Sequence, residues 1–378
     1  MNPKERLIQC AIEIGFDLIG VCGPDKLSEA EEILTRRQEE GYLTPFTPAC
    51  IEERVNPAKT FPEVKSIISV GLSYAHSRDK VPNPELTAGK APAKAKLSGR
   101  MARFAWGRDY HAVLREKVNS LMQEWQQSLG YTLNWAAYVD TGPLPDRAVA
   151  WRSGLGWYGK NCTLISPKFG SWFVLGEILV DIYLEPDQPL KDSCEECDRC
   201  LRACPTGALE EPYRLNAYRC VSYLTQAPGL IPRELRQAMG RQLYGCDLCQ
   251  EVCPHNLQAE IGGNGEFHHA EPHLEEFLAL SNQKFKAAFG KTTAGWRGKK
   301  LLQRNAVIAL GNSGSPEALP ALIRAMADPR PEIRGHAAWA LGQIGGPEAK
   351  EVLEQALAKE LRPEVRAEIA QALQNRKV

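Results

Sequence analysis

Eight of the 12 cysteines fall between Cys194 and Cys253. Cys194-x2-Cys197-x2-Cys200-x3-Cys204-Pro205 is a complete bacterial ferredoxin run. Thiolates two residues apart on a tight loop reach adjacent corners of a cubane, and the cysteine before proline turns away to ligate the other cluster of a pair. A shorter run follows, Cys246-x2-Cys249-x3-Cys253-Pro254, and Cys220 between them completes the set. The crossover rule gives one 4Fe-4S cluster to Cys194, Cys197, Cys200 and Cys253, and the other to Cys204, Cys220, Cys246 and Cys249. Structural zinc is the competing use of paired CxxC units. The triple spacing and both Cys-Pro endings favour iron. Two clusters form an electron wire, so another part of the chain must receive the electrons.

Asp140 is the candidate acid. It ends the strand-like run Trp135-Ala136-Ala137-Tyr138-Val139 and precedes Thr141-Gly142-Pro143. A carboxyl group there, near a cofactor and shielded from water, is expected to have a raised pKa and to donate a proton. A turn-forming Asp is the equal alternative. Arg147 follows two helical turns later, facing Asp140, an anion or solvent. Gly154-Leu155-Gly156-Trp157-Tyr158-Gly159-Lys160-Asn161 fits GxGxxG, but a helix-like segment precedes it where a nucleotide loop needs a strand. A glycine-permissive turn, or close backbone approach to another large cofactor, are the other readings. Asp109-Tyr110-His111 begins a cobalamin-ligand signature (Asp-x-His-x-x-Gly), and Leu114 breaks it, so His111 is not assigned as an axial ligand.

The elements that must position these residues are mixed. Val64–Gly71 reads as a buried strand, Ser171–Val180 as a further strand, and Leu7–Phe16 and His111–Leu129 as amphipathic helices. Pro82–Lys96 reads as a mobile loop. Near the end, Ala309-Leu310-Gly311 recurs as Ala340-Leu341-Gly342, then Ala372-Leu373, with Pro316 and Pro347 at matching offsets. That period signals a short-unit HEAT-like helical solenoid. The expected fold is thus an α/β domain over residues 1–185, a ferredoxin-like double-cluster domain over 186–262, and a linker with α-helical HEAT-like repeats over 263–378.

The formal charge is zero, with 46 basic and 46 acidic residues, which excludes a polycation or a highly charged disordered chain. The zero is an average. Residues 291–378 hold 14 Lys/Arg against 9 Asp/Glu. Trp296 sits within Gly295-Trp296-Arg297-Gly298-Lys299-Lys300, with Arg304 close behind. Basic residues interleaved with an aromatic suit RNA; a protein-binding solenoid is the alternative. No signal peptide or membrane-length apolar run is seen, so a cytoplasmic protein with reduced thiols is expected.

Together these parts resemble the epoxyqueuosine reductases, cobalamin- and iron–sulfur-dependent enzymes of queuosine synthesis in bacterial tRNA. The resemblance rests on Trp106-Gly107-Arg108-Asp109-Tyr110-His111, Val139-Asp140-Thr141-Gly142, Asp146-Arg147-Ala148-Val149-Ala150, Gly159-Lys160-Asn161, the cysteine set and the 295–300 segment. It implies an N-terminal cobalamin domain and reduction of the epoxide on the modified wobble base to an alkene. Electrons would pass singly through both clusters to cobalt, and Asp140 would protonate the leaving oxygen. It further implies that Tyr110, His111 and Arg147 line the substrate side. Arg54, Ala102, Asp140, Leu164, Leu175, Val221 and Ser222 would meet cobalamin, and Gln226 would meet tRNA. The implied partners are tRNA carrying epoxyqueuosine and an external donor such as a flavodoxin or ferredoxin; a monomer is expected, with no membrane. A reductive dehalogenase of small molecules shares the cofactor plan, but leaves the solenoid unexplained.

Overall fold

The computed structural model describes residues 2–47, 50–75, 97–191, 194–262 and 271–374. The expected loop Pro82–Lys96 lies outside the described residues. The chain forms two compact units. The first comprises Met1–Pro82, Arg108–Tyr218 and Leu248–Phe267; the second comprises Asn83–Gly107, Arg219–Asp247 and His268–Val378.

The first unit opens with helix α1 (Pro3–Ile14), started by a reciprocal Asn2–Glu5 capping box and ended by Gly15 in the left-handed region. Strand β1 (Leu18–Cys22), helix α2 (Ser28–Glu39), the short helix α3 (Ile51–Val55) and strand β2 (Ser66–Ser73) follow. Then come helix α4 (Tyr110–Leu129), strand β3 (Trp135–Tyr138), helix α5 (Asp146–Arg152) and strand β4 (Phe173–Val180). The sheet order is β1-β2-β4-β3, and every pairing is antiparallel. The expected α/β composition holds, and the strands stand within two residues of where their apolar runs placed them.

All of β2 is buried, and its Ile, Val and Leu residues are separated only by small Ser and Gly residues. Side chains alternate across a strand, so Leu175, Glu177 and Leu179 of β4 share one face. Leu179 packs there with Cys22, Ile67, Ala148 and Val149, so α5 lies on that face. Elsewhere in the unit, α4 is tied to α1 by the Trp125 indole N–H donating to the Pro3 carbonyl at 2.9 Å and Lys117 donating to the Ile14 carbonyl at 2.6 Å.

The second unit ends in five helices: α6 (Lys299–Ser313), α7 (Leu319–Met326), α8 (Pro331–Ile344), α9 (Pro347–Lys359) and α10 (Pro363–Gln374). The repeated Ala-Leu-Gly has a packing reason. A Cβ on Gly311 would lie 2.8 Å from Ala340, and one on Gly342 would lie 3.0 Å from Ala372. Each repeat's glycine is where the next repeat's helix lies against it. Among the described residues, no helix is long and apolar enough to cross a membrane.

Candidate functional site

The first cluster set converges. Cys194, Cys197, Cys200 and Cys253 line one cavity of about 320 Å³, together with Lys160, Asn161, Ile165 and His255. A zinc tetrahedron, with sulfurs about 2.3 Å from the metal, leaves no such space between its thiolates. The cavity has room for a cubane, and the all-thiolate donor set is the one iron–sulfur clusters take. Burial pushes the Cys200 thiol up to about 11, with neighbouring Cys253 and Cys194 adding to it; burial likewise raises Cys253. Four thiolates here need a cationic core to offset their repulsion. Trp157 and Ile165 pack against Cys253, and the Trp157 ring meets His255 edge-on at 5.1 Å. Of the second set, Cys204 and Cys249 belong to the first unit, and Cys220 and Cys246 to the second.

The glycine-rich segment 154–161 supports this cavity instead of a nucleotide. It forms a two-stranded hairpin, Trp157–Tyr158 against Leu164–Ile165. A Cβ on Gly156 would collide with the Ile165 carbonyl at 2.3 Å. Lys160 donates to the Glu195 carbonyl at the cavity's edge. The turn reading therefore wins over GxGxxG.

A proton-handling group is built at the end of β3. Asp109 caps α4 by accepting from the His111 backbone N–H at 3.1 Å, which is the local reason for the Asp-Tyr-His motif. The same carboxylate lies 2.7 Å from His111 Nδ1. His111 Nε2 then faces Asp140 Oδ2 at 3.5 Å, and the Tyr110 hydroxyl donates to that oxygen at 2.9 Å. The Tyr110 and His111 rings stack with centroids 4.1 Å apart. Asp140 itself has φ 55°, a left-handed conformation that costs a non-glycine residue about 1–3 kcal/mol.

The charge state of this group corrects one expectation. Burial pushes the Asp140 carboxyl up, but hydrogen bonds from His111 and Tyr110 and the charges of His111 and Arg147 outweigh it, holding Asp140 below the usual carboxylate range. Burial pushes His111 down, but Asp109 and Asp140 outweigh it and raise the imidazole to about 9. At neutral pH the proton therefore rests on His111, beside an ionised Asp140 whose side chain is 57% accessible. The raised carboxyl expected from the sequence requires the water exclusion that substrate and cofactor would bring. Arg147 is exposed and donates to the Cys162 carbonyl.

Two acidic residues beneath this turn were not singled out by the sequence reading. Glu177, 1% exposed, lies on the face of β4 that meets α5. It forms a side-chain hydrogen bond with Asp146, the first residue of α5. Burial, then the Asp146 charge, raises Glu177 well above its ordinary value; burial raises Asp146 too. A Cβ on Gly142 would lie 2.9 Å from Glu177 Oε1, so only glycine lets the turn sit on this carboxyl. The available signal was a lone Glu within the apolar run Phe173–Val180.

On the cofactor side, Arg54 is half-buried and its Nε has no hydrogen-bond partner among the described residues. Leu164 and the half-buried Leu175 belong to one apolar cluster with Ala150, Leu155, Phe169 and Phe173. An apolar wall and an unpartnered guanidinium N–H suit a large macrocycle carrying amide groups, so these residues fit cobalamin. Ala102, Val221 and Ser222 lie in the second unit. There Ala102 is buried and its N–H donates to the Tyr244 carbonyl, Val221 is buried, and Ser222 is half-buried.

The proposed RNA residues separate. Trp296 is 59% exposed, and the Arg297 guanidinium lies 4.4 Å from its ring centre. Gln226 joins them by accepting from Arg297 Nε at 3.4 Å. Lys300 is exposed and pairs with Glu332; Lys299 donates to the Leu280 carbonyl. Arg304 is a correction. It is 1% exposed, and its guanidinium donates to the carbonyls of Leu224, Ala227 and Gly229. It organises the interior of its unit and offers nothing to RNA; sequence alone does not distinguish such an arginine from a surface one.

Three family models match the chain: "Epoxyqueuosine reductase QueG, DUF1730" over residues 54–141, a 4Fe-4S double cluster binding domain over 193–256, and HEAT repeats over 298–374. The epoxyqueuosine reductase of Bacillus subtilis (strain 168) is 43% identical, covering 98% of this chain and 95% of the relative. A crystal structure of a selenomethionine-labelled epoxyqueuosine reductase superposes with TM-score 0.91 at 42% identity, covering 98% of both chains. A second, of an epoxyqueuosine reductase with an epoxyqueuosine-modified tRNA-Tyr stem loop, superposes with TM-score 0.88 at 41% identity, again over 98% of both.

Proposed function

The chain belongs to the epoxyqueuosine reductase family, and from that premise we propose how its residues divide the work. The protein is an oxidoreductase that reduces epoxyqueuosine in tRNA to queuosine, with two 4Fe-4S clusters and cobalamin as its cofactors. The reaction takes two electrons and two protons, and turns an epoxide into an alkene and water. Cobalamin, when bound, supplies the low-potential cobalt that reduces the epoxide carbon, with the clusters delivering electrons one at a time.

The protein's own task is the proton. Asp140, hydrogen-bonded by Tyr110 and facing protonated His111, is the donor to the leaving oxygen. Expelling an unprotonated oxide into a site closed to water is costly, so a proton held at that oxygen lowers the barrier. The His111 proton is the store from which Asp140 is loaded once a bound substrate excludes water. Arg54, Leu164 and Leu175 hold cobalamin. Arg147 orients the substrate. Gln226, Trp296, Arg297, Lys299 and Lys300 receive the tRNA. The clusters take the cysteines as the crossover rule divides them. We further propose a cytoplasmic monomer served by a flavodoxin or ferredoxin, built from segments 1–185, 186–262 and 263–378.

The observation that carries this reading is the Tyr110–Asp140–His111 group on the strained turn after β3. The test is anaerobic purification, addition of cobalamin and a chemical reductant, and mass analysis of an epoxyqueuosine-bearing stem loop. Formation of queuosine only when cobalamin is present is expected. Iron should stand at about eight per chain and fall to about four in Cys253→Ser. Unchanged iron in that variant would contradict the ligand assignment.

A further inference from the structure

One buried cluster has no task in the chemistry above: the carboxyl groups of Glu177 and Asp146. Among the described residues, neither Glu177 oxygen, nor Asp146 Oδ1, meets a donor. The two side chains nonetheless hydrogen-bond each other, which two carboxylates can do only by sharing a proton. The Asp146 carboxylate also faces the backbone of Asp140. Gly142, in the same turn, rests against Glu177 Oε1. A chain of contacts therefore runs from the middle of β4, through the start of α5, to the strained residue that carries the acid. The register partners of Glu177 are Ser69 and Tyr138. The charged groups that face the pair are Arg54 from α3 and Asp140 from the turn; Arg147, on α5, is directed to the Cys162 carbonyl.

We propose that Glu177 is a positioning residue: it stays protonated, donates its O–H to the Asp146 carboxylate, and so keeps that carboxylate holding the Asp140 turn in its left-handed conformation. Loss of the shared proton would set two anions against each other in an apolar interior and release the turn. A glutamine can still donate an N–H to Asp146; a leucine fills the space but donates nothing. This proposal rests on Asp140 being the proton donor.

Infrared difference spectroscopy of the holoenzyme tests it first. The wild-type protein at neutral pH should show a protonated-carboxyl band that is absent from Glu177→Gln and retained in Asp140→Asn. Steady-state kinetics with the stem loop are the second arm. Glu177→Leu should lower kcat about 10- to 100-fold, as expected for a misplaced catalytic group, with KM little changed. Glu177→Gln should recover most of that loss. Three results would each overturn the proposal: no such band in the wild type, wild-type kcat in Glu177→Leu, or a Glu177→Gln variant as slow as Glu177→Leu. If Glu177→Leu does not fold, the band and the glutamine variant still decide. Full activity in Asp140→Asn would instead remove the donor reading, while the band would still report on the pair.

Discussion

Buried charge is treated in opposite ways in the two units. In the solenoid unit, Arg236 is 1% exposed and bonded to both Glu368 oxygens, at 2.8 and 2.5 Å, while Arg233 reaches the same carboxylate at 2.7 Å. His336, fully buried, accepts from the Ile231 N–H at Nε2 and faces the Glu332 carbonyl at Nδ1, so it is neutral; burial and the charges of Arg236 and Arg304 hold it well below its ordinary value. Both arginines are hydrogen-bonded to a carboxylate, and the histidine carries no charge. In the catalytic unit, two carboxyl groups are buried against each other, and the acid above them occupies a strained backbone. Matched charge specifies one packing. Mismatched charge lies beside the residue proposed as the acid, where perturbed groups cluster at functional sites.

The sharpest way to break this contrast is Asp140→Asn. It should cut the rate of epoxide reduction by about 100-fold or more, the usual worth of a positioned acid, with thermal stability held. A large fall in Tm with an intact rate would invert the comparison. Glu368→Gln should do the converse. It leaves the buried Arg236 without its counter-charge, costing about 3–5 kcal/mol in the solenoid, read as a lower Tm, while kcat of the folded enzyme barely moves.

A third, smaller effect comes from His111. Its pKa is raised from 6.5 to about 9, so the stability it contributes is complete below pH 6.5 and is lost as the pH rises through about 9. Tm should fall across that window in the wild type and fall less in His111→Asn. Glu360 supplies the matching test in the solenoid. Its hydrogen bonds and ion pair with Arg334 lower it to about 2, so its contribution is present above 4.5 and is lost as the pH falls through about 2. These two residues thus lose their ionic support at opposite ends of the pH scale. The smallest effect is Trp296→Ala, which should weaken stem-loop binding by about 1–3 kcal/mol if bases stack on the exposed ring. Unchanged affinity would leave this surface without an RNA role.

Short-range features were legible in the sequence because spacing alone encodes them. Residues two or three apart on one loop must share a metal cluster, and a glycine recurring at a fixed period must mark a repeated helix contact. The cluster cysteines, the solenoid and the end of the strand at Asp140 belong to this class. The tertiary structure alone decided what depends on strand register and helix docking. Tyr110 and His111 reach Asp140 across roughly 30 residues of chain. Glu177 meets Asp146 only because β4 alternates its faces and α5 lies on one of them. Arg304 is an RNA ligand by composition and an interior strut by burial. The ionisation of Asp140 likewise follows from its neighbours and not from its place in the sequence, because a pKa is set by the desolvation and charge that folding brings to it.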